Sequence, residues 1–181
     1  MDAGFSDHCR FLARYNRWIN GRLYDACGAL TDEERKRERG AFFGSLHRTL
    51  NHLVVADQVW LRRFAQCDQD HGVTLASLNA TVLDLPPGSQ LDTVLFEGWP
   101  ALRTKREQLD LAIEAWVAEM PGGYPQFTMR YSNSKGVQRA HPAWQAMTHF
   151  FNHQTHHRGQ ATTLLTQAGV DIGVTDLIAL V

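Results

Sequence analysis

The chain has 181 residues, room for one domain with a substantial core, and its 44% apolar and 20% charged residues are those of an ordinary globular protein. A net charge of -1 and a pI near 6.7, with the most basic stretch (Glu34 to Gly40, ERKRERG) interleaved with acids, argue against nucleic-acid or anionic-membrane binding. No run of 18 apolar residues predicts a membrane span, no leader pattern opens the chain, and three scattered cysteines (Cys9, Cys27 and Cys67) without a C-x-x-C pair fit a reducing cytoplasm.

Helical periodicity begins near Ser6 and runs to about Leu30. Phe11, Leu12, Tyr15, Ile19 and Leu23 recur at three- and four-residue steps, and Ser6 or Asp7 is placed to cap the segment. Trp18 is expected in the core. A charged link, TDEERKRERG, follows. The second helix is predicted from about Gly44 to Cys67, with a stripe of Leu46, Leu50, Leu53, Trp60 and Phe64. Asp57 falls inside that stripe. Its readings are an orienter of a neighbouring ring, a general base, or a stripe-edge residue beside Leu53 and Leu61.

A linker of weak strand character comes next and ends in LPPGSQ, where Pro86 and Pro87 forbid a continuous helix. The third helix is predicted from about Gln90 to Glu119. Pro100 lies inside it, so it is either kinked or starts near Trp99. FTMRY, the turn residues SNSKG, and VQRA then read as a two-stranded hairpin. The fourth helix is predicted from about Pro142 to Ala168, with Gly169 as its C′ residue. Four long helices and few strands predict an all-α fold, a four-helix bundle with a short hairpin before the last long helix, forming one domain over residues 1–181.

The last helix carries HFFNHQTHHRGQ, with four of the nine histidines. At 100° per residue, Ala146, His149, Phe150, His157, Gln160 and Leu164 lie within about 60° of His153, and His156 lies at the edge of that arc. The arc also reaches Ala168 and should face the core. Buried imidazole nitrogens need hydrogen bonds, solvent or a metal. His153 and His157, spaced i, i+4, place two rings side by side as metal ligands do. A solvated cleft and a subunit interface are the alternatives. A third ligand must come from another helix. His47 and His52 flank the second helix's stripe on opposite edges, and His8 lies on the first helix; periodicity does not choose among them. His149 and Gln160 share the arc and are candidate pocket residues. Arg158 lies off it and is expected in a structural salt bridge or an interface. Gly159 is expected to let another helix approach closely.

Three stretches carry a family resemblance: YNRWINGRL (Tyr15 to Leu23), LHRTLNHLVVADQVWLRRF (Leu46 to Phe64) and FNHQTHHRGQATTLLTQAG (Phe151 to Gly169). They resemble the DinB-like, YfiT-like metalloprotein family, in family order and over most of the chain. The resemblance implies a four-helix bundle, a homodimer, and a divalent metal held by one histidine of the second helix and an H-x-x-x-H pair of the last. On this sequence those positions are His52, His153 and His157. Zinc or nickel is the first expectation for the ion, with iron and manganese behind. Members that this chain resembles include thiol S-transferases that use bacillithiol or mycothiol, and a mycothiol-dependent maleylpyruvate isomerase. The implied partners are a low-molecular-weight thiol and an electrophilic small molecule. Asp57, His149 and Gln160 are the candidate catalytic residues. A hydrolase using metal-activated water and a non-catalytic metal-binding stress protein are the rival expectations. None of the three cysteines lies in the histidine block, so none is the expected nucleophile.

Overall fold

Four long helices dominate the computed structural model, which describes residues 3–181. They are α1 (Ala3–Gly28), α3 (Leu46–Asp70), α4 (Trp99–Glu119) and α5 (Ala143–Gln167). The charged link is not all loop. It contains a short helix, α2 (Asp32–Lys36), whose Thr31 cap accepts from the Glu34 N–H at 3.2 Å. Three acids in its first turn and Arg35 and Lys36 in its last complement the helix dipole. A hairpin of β1 (Thr128–Ser132) and β2 (Gln138–Pro142) precedes α5, as the sequence predicts.

The bundle is a ring in which α1 and α3 each pack against both α4 and α5. Side-chain pairs give the directions. Arg17 meets Glu114 and Asp25 meets Arg103, each at 2.7 Å, so α1 and α4 are antiparallel. His52 faces His157 and Phe64 faces Phe150, so α3 and α5 are antiparallel too. Asp57 pairs with Arg106 and Phe64 stacks on Trp116, so α3 and α4 run parallel. Parallel neighbours need a return connection. The 25 residues of α3 span about 37 Å, and residues 71–98 travel back along them. This crossover contains turns and no strand, contrary to its predicted strand character. Its last residues reach the histidine face of the bundle.

One apolar cluster joins all four long helices, with Leu23, Leu50, Phe64, Trp116 and Phe150 fully buried at its centre. Each such side chain contributes roughly 1.5–3 kcal/mol by leaving water. Several predicted details shift. The first helix begins at Ala3, so Ser6 and Asp7 lie within it and do not cap it. The buried face of α1 is rotated toward Cys9, Ala13, Asn16, Asn20 and Cys27, while Phe11, Leu12 and Tyr15 stay half-exposed. Asn16 and Asn20 tolerate burial because both donate to Asp110, at 3.0 and 2.9 Å. Trp18 is half-exposed beneath Arg22 and lies outside the core. The third helix starts at Trp99, with Pro100 in its first turn, so there is no kink. Gly169 follows α5 at φ +77°, as a C′ glycine should. No described helix is long and apolar enough to cross a membrane.

Candidate metal centre

The antiparallel packing of α3 on α5 brings three imidazoles together. His52 comes from α3; His153 and His157 come from successive turns of α5. His52 Nε2 lies 3.3 Å from His153 Nε2 and 3.2 Å from His157 Nε2. One ligand atom from each ring falls within 4.8 Å of the other two. Of the three candidate partners, His52 is the one that lies beside the α5 pair. His47 is buried elsewhere, 3.2 Å from the Asn51 amide, and His8 lies in a groove between α1 and α5.

The outer nitrogens of two rings decide what the inner ones can do. His52 Nδ1 lies 2.7 Å from the Leu91 carbonyl, which only accepts, so Nδ1 carries the proton. His157 Nδ1 lies 2.8 Å from Gln160 Oε1 and is protonated on the same argument. In the neutral rings, both Nε2 atoms are then bare lone pairs 3.2 Å apart, and neither can donate to the other. A shared cation resolves this opposition. Two imidazoles on one tetrahedral zinc-sized ion, at about 2.0–2.1 Å each, stand roughly 3.3–3.4 Å apart. The observed spacings match, so the residues fit the metal that the sequence implies.

Burial keeps the rings neutral and ready to coordinate. Desolvation pushes His153 down to about 3, with the neighbouring histidines adding to the effect. Desolvation pushes His52 down to about 4, partly opposed by the Leu91 hydrogen bond. His157 is lowered by the same cause and partly restored by Gln160.

The surroundings orient the cluster. Gln160 is held at both ends, since its Nε2 faces His156 Nε2 at 3.3 Å while its Oε1 holds His157. Such outer partners commonly raise metal affinity 10- to 100-fold. Gln160→Leu is therefore expected to weaken divalent-metal affinity by about 10-fold or more while leaving the helical circular dichroism unchanged. Competition against a chromophoric chelator measures it, and an unchanged affinity would remove Gln160 from the site. Phe43, just before α3, stacks on His52 with ring centres 4.0 Å apart. A turn presents it: Gly44 takes φ +80°, a conformation that favours glycine, and its N–H closes on the Ala41 carbonyl at 2.8 Å.

The other candidates separate into two groups. His149 and Gln160 line cavities beside the cluster. Asp57 does not. Its carboxylate is 1% exposed, pairs with Arg106 at 2.5 Å, accepts from Gln154 at 2.9 Å, and makes no hydrogen bond to an imidazole. Arg158 is buried, and the expected salt bridge is not formed among the described residues: its partners are Asn16 and the Thr155 hydroxyl. Gly159 is exposed, and a β-carbon there would meet nothing within 4 Å, so no helix approaches it. Burial pushes the thiols of Cys9, Cys27 and Cys67 up to about 12, and none joins the cluster.

The cluster opens on one side. A cavity of about 560 Å³ is bounded by Phe42, Phe43, Leu91, Asp92 and the cluster histidines. A second of similar volume shares His153, Gln90, Leu91 and Ser134 with it and extends past Trp60, Arg63, Tyr131 and His149. Sequence periodicity missed Phe43 and the Leu91 carbonyl. The only trace of the first was the aromatic pair before Gly44; the second is backbone, and no residue pattern marks it.

The family model described as DinB family matches residues 6–180. A curated relative, Protein DinB of Bacillus subtilis (strain 168), is 23% identical over 174 residues, covering 94% of this chain and 92% of the relative. No solved structure matches the chain.

Proposed function

The chain belongs to the DinB family, and from that premise we propose that it uses a divalent ion to transfer a low-molecular-weight thiol to an electrophilic small molecule. One observation carries the reading: three neutral imidazoles converge at the mouth of an open cavity, so protein ligands occupy one side only. His52, His153 and His157 would hold the ion. When bound, zinc or nickel supplies a double positive charge that imidazoles leave uncompensated, which favours the thiolate form of a coordinated thiol. The chain's residues do the rest. Leu91 and Gln160 fix the ring tautomers, Phe43 covers His52, and Phe42 and Leu91 give the cavity an apolar side. The substrate sulfur attacks an electrophilic carbon, a C–S bond forms, and the leaving group departs with its electron pair. The displaced thiol proton passes to solvent.

Turnover of monochlorobimane with added thiols tests this. The metal-loaded protein is expected to accelerate the conjugation, and chelation is expected to abolish the acceleration. Metal-dependent turnover of ester or amide probes without thiol would move the assignment to a hydrolase. Absence of both activities in a fully loaded protein would leave a non-catalytic metal-binding protein.

A further inference from the structure

The cavity beyond the metal centre has a distinct chemistry. Its lining includes two arginines, Arg63 and Arg139, and no acidic residue. Arg63 is held in a fixed place. Its guanidinium carbon lies 4.6 Å from the Trp60 ring centre and 4.4 Å from that of Tyr131. Its Nη2 donates to the Ser132 carbonyl at 3.3 Å. Those contacts are aromatic faces and one neutral acceptor. Among the described residues, no carboxylate lies within ion-pair distance of Arg63. Arg10, Arg17, Arg37 and Arg103, elsewhere on the surface, each have such a partner. A half-buried guanidinium, immobilised by two rings and lacking an acid, keeps several N–H donors for a ligand in the cavity it lines.

This lobe is continuous with the metal centre. His153 belongs to both cavities; its ring centre is 5.8 Å from that of His149, which is 5.0 Å from that of Trp60. A small molecule with its sulfur at the histidine cluster therefore extends naturally toward Arg63. The two-strand hairpin closes the far side, contributing Tyr131, Ser132 and Arg139. The apolar lobe past Phe42 and Phe43 lies on the other side of the cluster and is left for the electrophile.

We propose that Arg63, collared by Trp60 and Tyr131, binds a carboxylate on the thiol substrate, so that the thiol is recognised at both ends. The proposal rests on the thiol-transfer reading above. A guanidinium takes a carboxylate through two parallel N–H···O bonds, which orients the molecule as well as attracting it. Arg63 is thus a specificity residue. Arg139, exposed at the rim, adds charge that draws an anion in.

Binding of three probes to the zinc-loaded protein, measured by calorimetry, tests the proposal independently of turnover. The probes are 3-mercaptopropionate, 2-mercaptoethanol and propionate. 3-Mercaptopropionate is expected to bind wild type about 10-fold or more tighter than 2-mercaptoethanol, the difference that a charge-assisted hydrogen-bond pair supplies. Arg63→Met is expected to erase that preference while binding 2-mercaptoethanol as wild type does, which also shows that its fold and metal site are intact. Equal binding of the two thiols by wild type overturns the carboxylate site and leaves thiol transfer standing. Propionate binding that needs Arg63, with no binding of 2-mercaptoethanol, supports the carboxylate site and overturns the thiol reading. Failure of all three probes to bind overturns both.

Discussion

Wild-type protein is expected to carry one divalent ion per chain, and His153→Ala to carry none after dialysis. Removing His153 leaves His52 and His157, whose Nε2 atoms are 3.2 Å apart. Two ligands do not hold an ion as three do. Loss of an outer-shell partner alone costs 10- to 100-fold in affinity, so loss of a coordinating ring is expected to exceed about 100-fold. Elemental analysis of both proteins, purified in parallel with circular dichroism as the folding control, measures it. Stoichiometric metal retained by a folded His153→Ala would place the site elsewhere.

The same site has a stability signature. A ligand at 1,000 times its dissociation constant stabilises the native state by about 4 kcal/mol, so chelation should lower the melting temperature of wild type and leave that of His153→Ala unchanged. In the metal-free form the sign of the pH effect follows from the depressed values. His52 and His153 stay neutral in the fold down to about 4 and 3, whereas the unfolded chain takes up those protons near the ordinary value of 6.5. More protons on the unfolded chain means that stability falls as pH drops from about 6.5 toward 3. Acidification thus weakens the metal-free fold and, by protonating the ligands, releases the metal from the loaded one.

The sequence made the long helices, the hairpin and the His153–His157 pair legible because all three are local patterns. An i, i+4 pair is fixed by helix geometry alone, and Pro86, Pro87 and Pro100 punctuate the chain wherever they occur. What stayed hidden depends on partners far away in sequence. His47 and His52 flank the same stripe, and only the antiparallel approach of α5 separates them. His52, the position that the family resemblance implied, is the one brought beside His153 and His157. The buried face of α1 was misjudged because Asn16 and Asn20 look exterior until Asp110, about 90 residues on, supplies their acceptor. The cluster's fourth side and the arginine lobe are built partly from crossover backbone and hairpin residues, which no helical projection reaches.

Asp57 shows most clearly how a distant partner changes a reading, and it sets the second large prediction. An acid inside a histidine-bearing apolar stripe suggests a catalytic base. Its actual partner is Arg106, 49 residues away on α4, which also holds Asp110 at 2.9 Å. Asp110 in turn accepts from Asn16 and Asn20, and Asn16 accepts from Arg158. The network ties α1, α3, α4 and α5 together at mid-bundle, with Arg106 only 2% exposed between its two acids. Arg106→Ala would strand two carboxylates in the interior, and breaking a buried pair in this way costs about 3–5 kcal/mol. That is a large part of the stability of a domain this size. Urea unfolding of the metal-free variant is expected to show a loss in that range. Asp57→Asn removes one of the two charges and keeps the shape, so it is expected to cost less than Arg106→Ala and to leave metal stoichiometry at one per chain. If Asp57→Asn instead unfolded at the wild-type urea midpoint yet lost thiol turnover, Asp57 would be a base at the reacting atoms. The structure argues for the first outcome, because Oδ2 of its carboxylate is held by Arg106 and Gln154 and the side chain lines neither cavity beside the cluster.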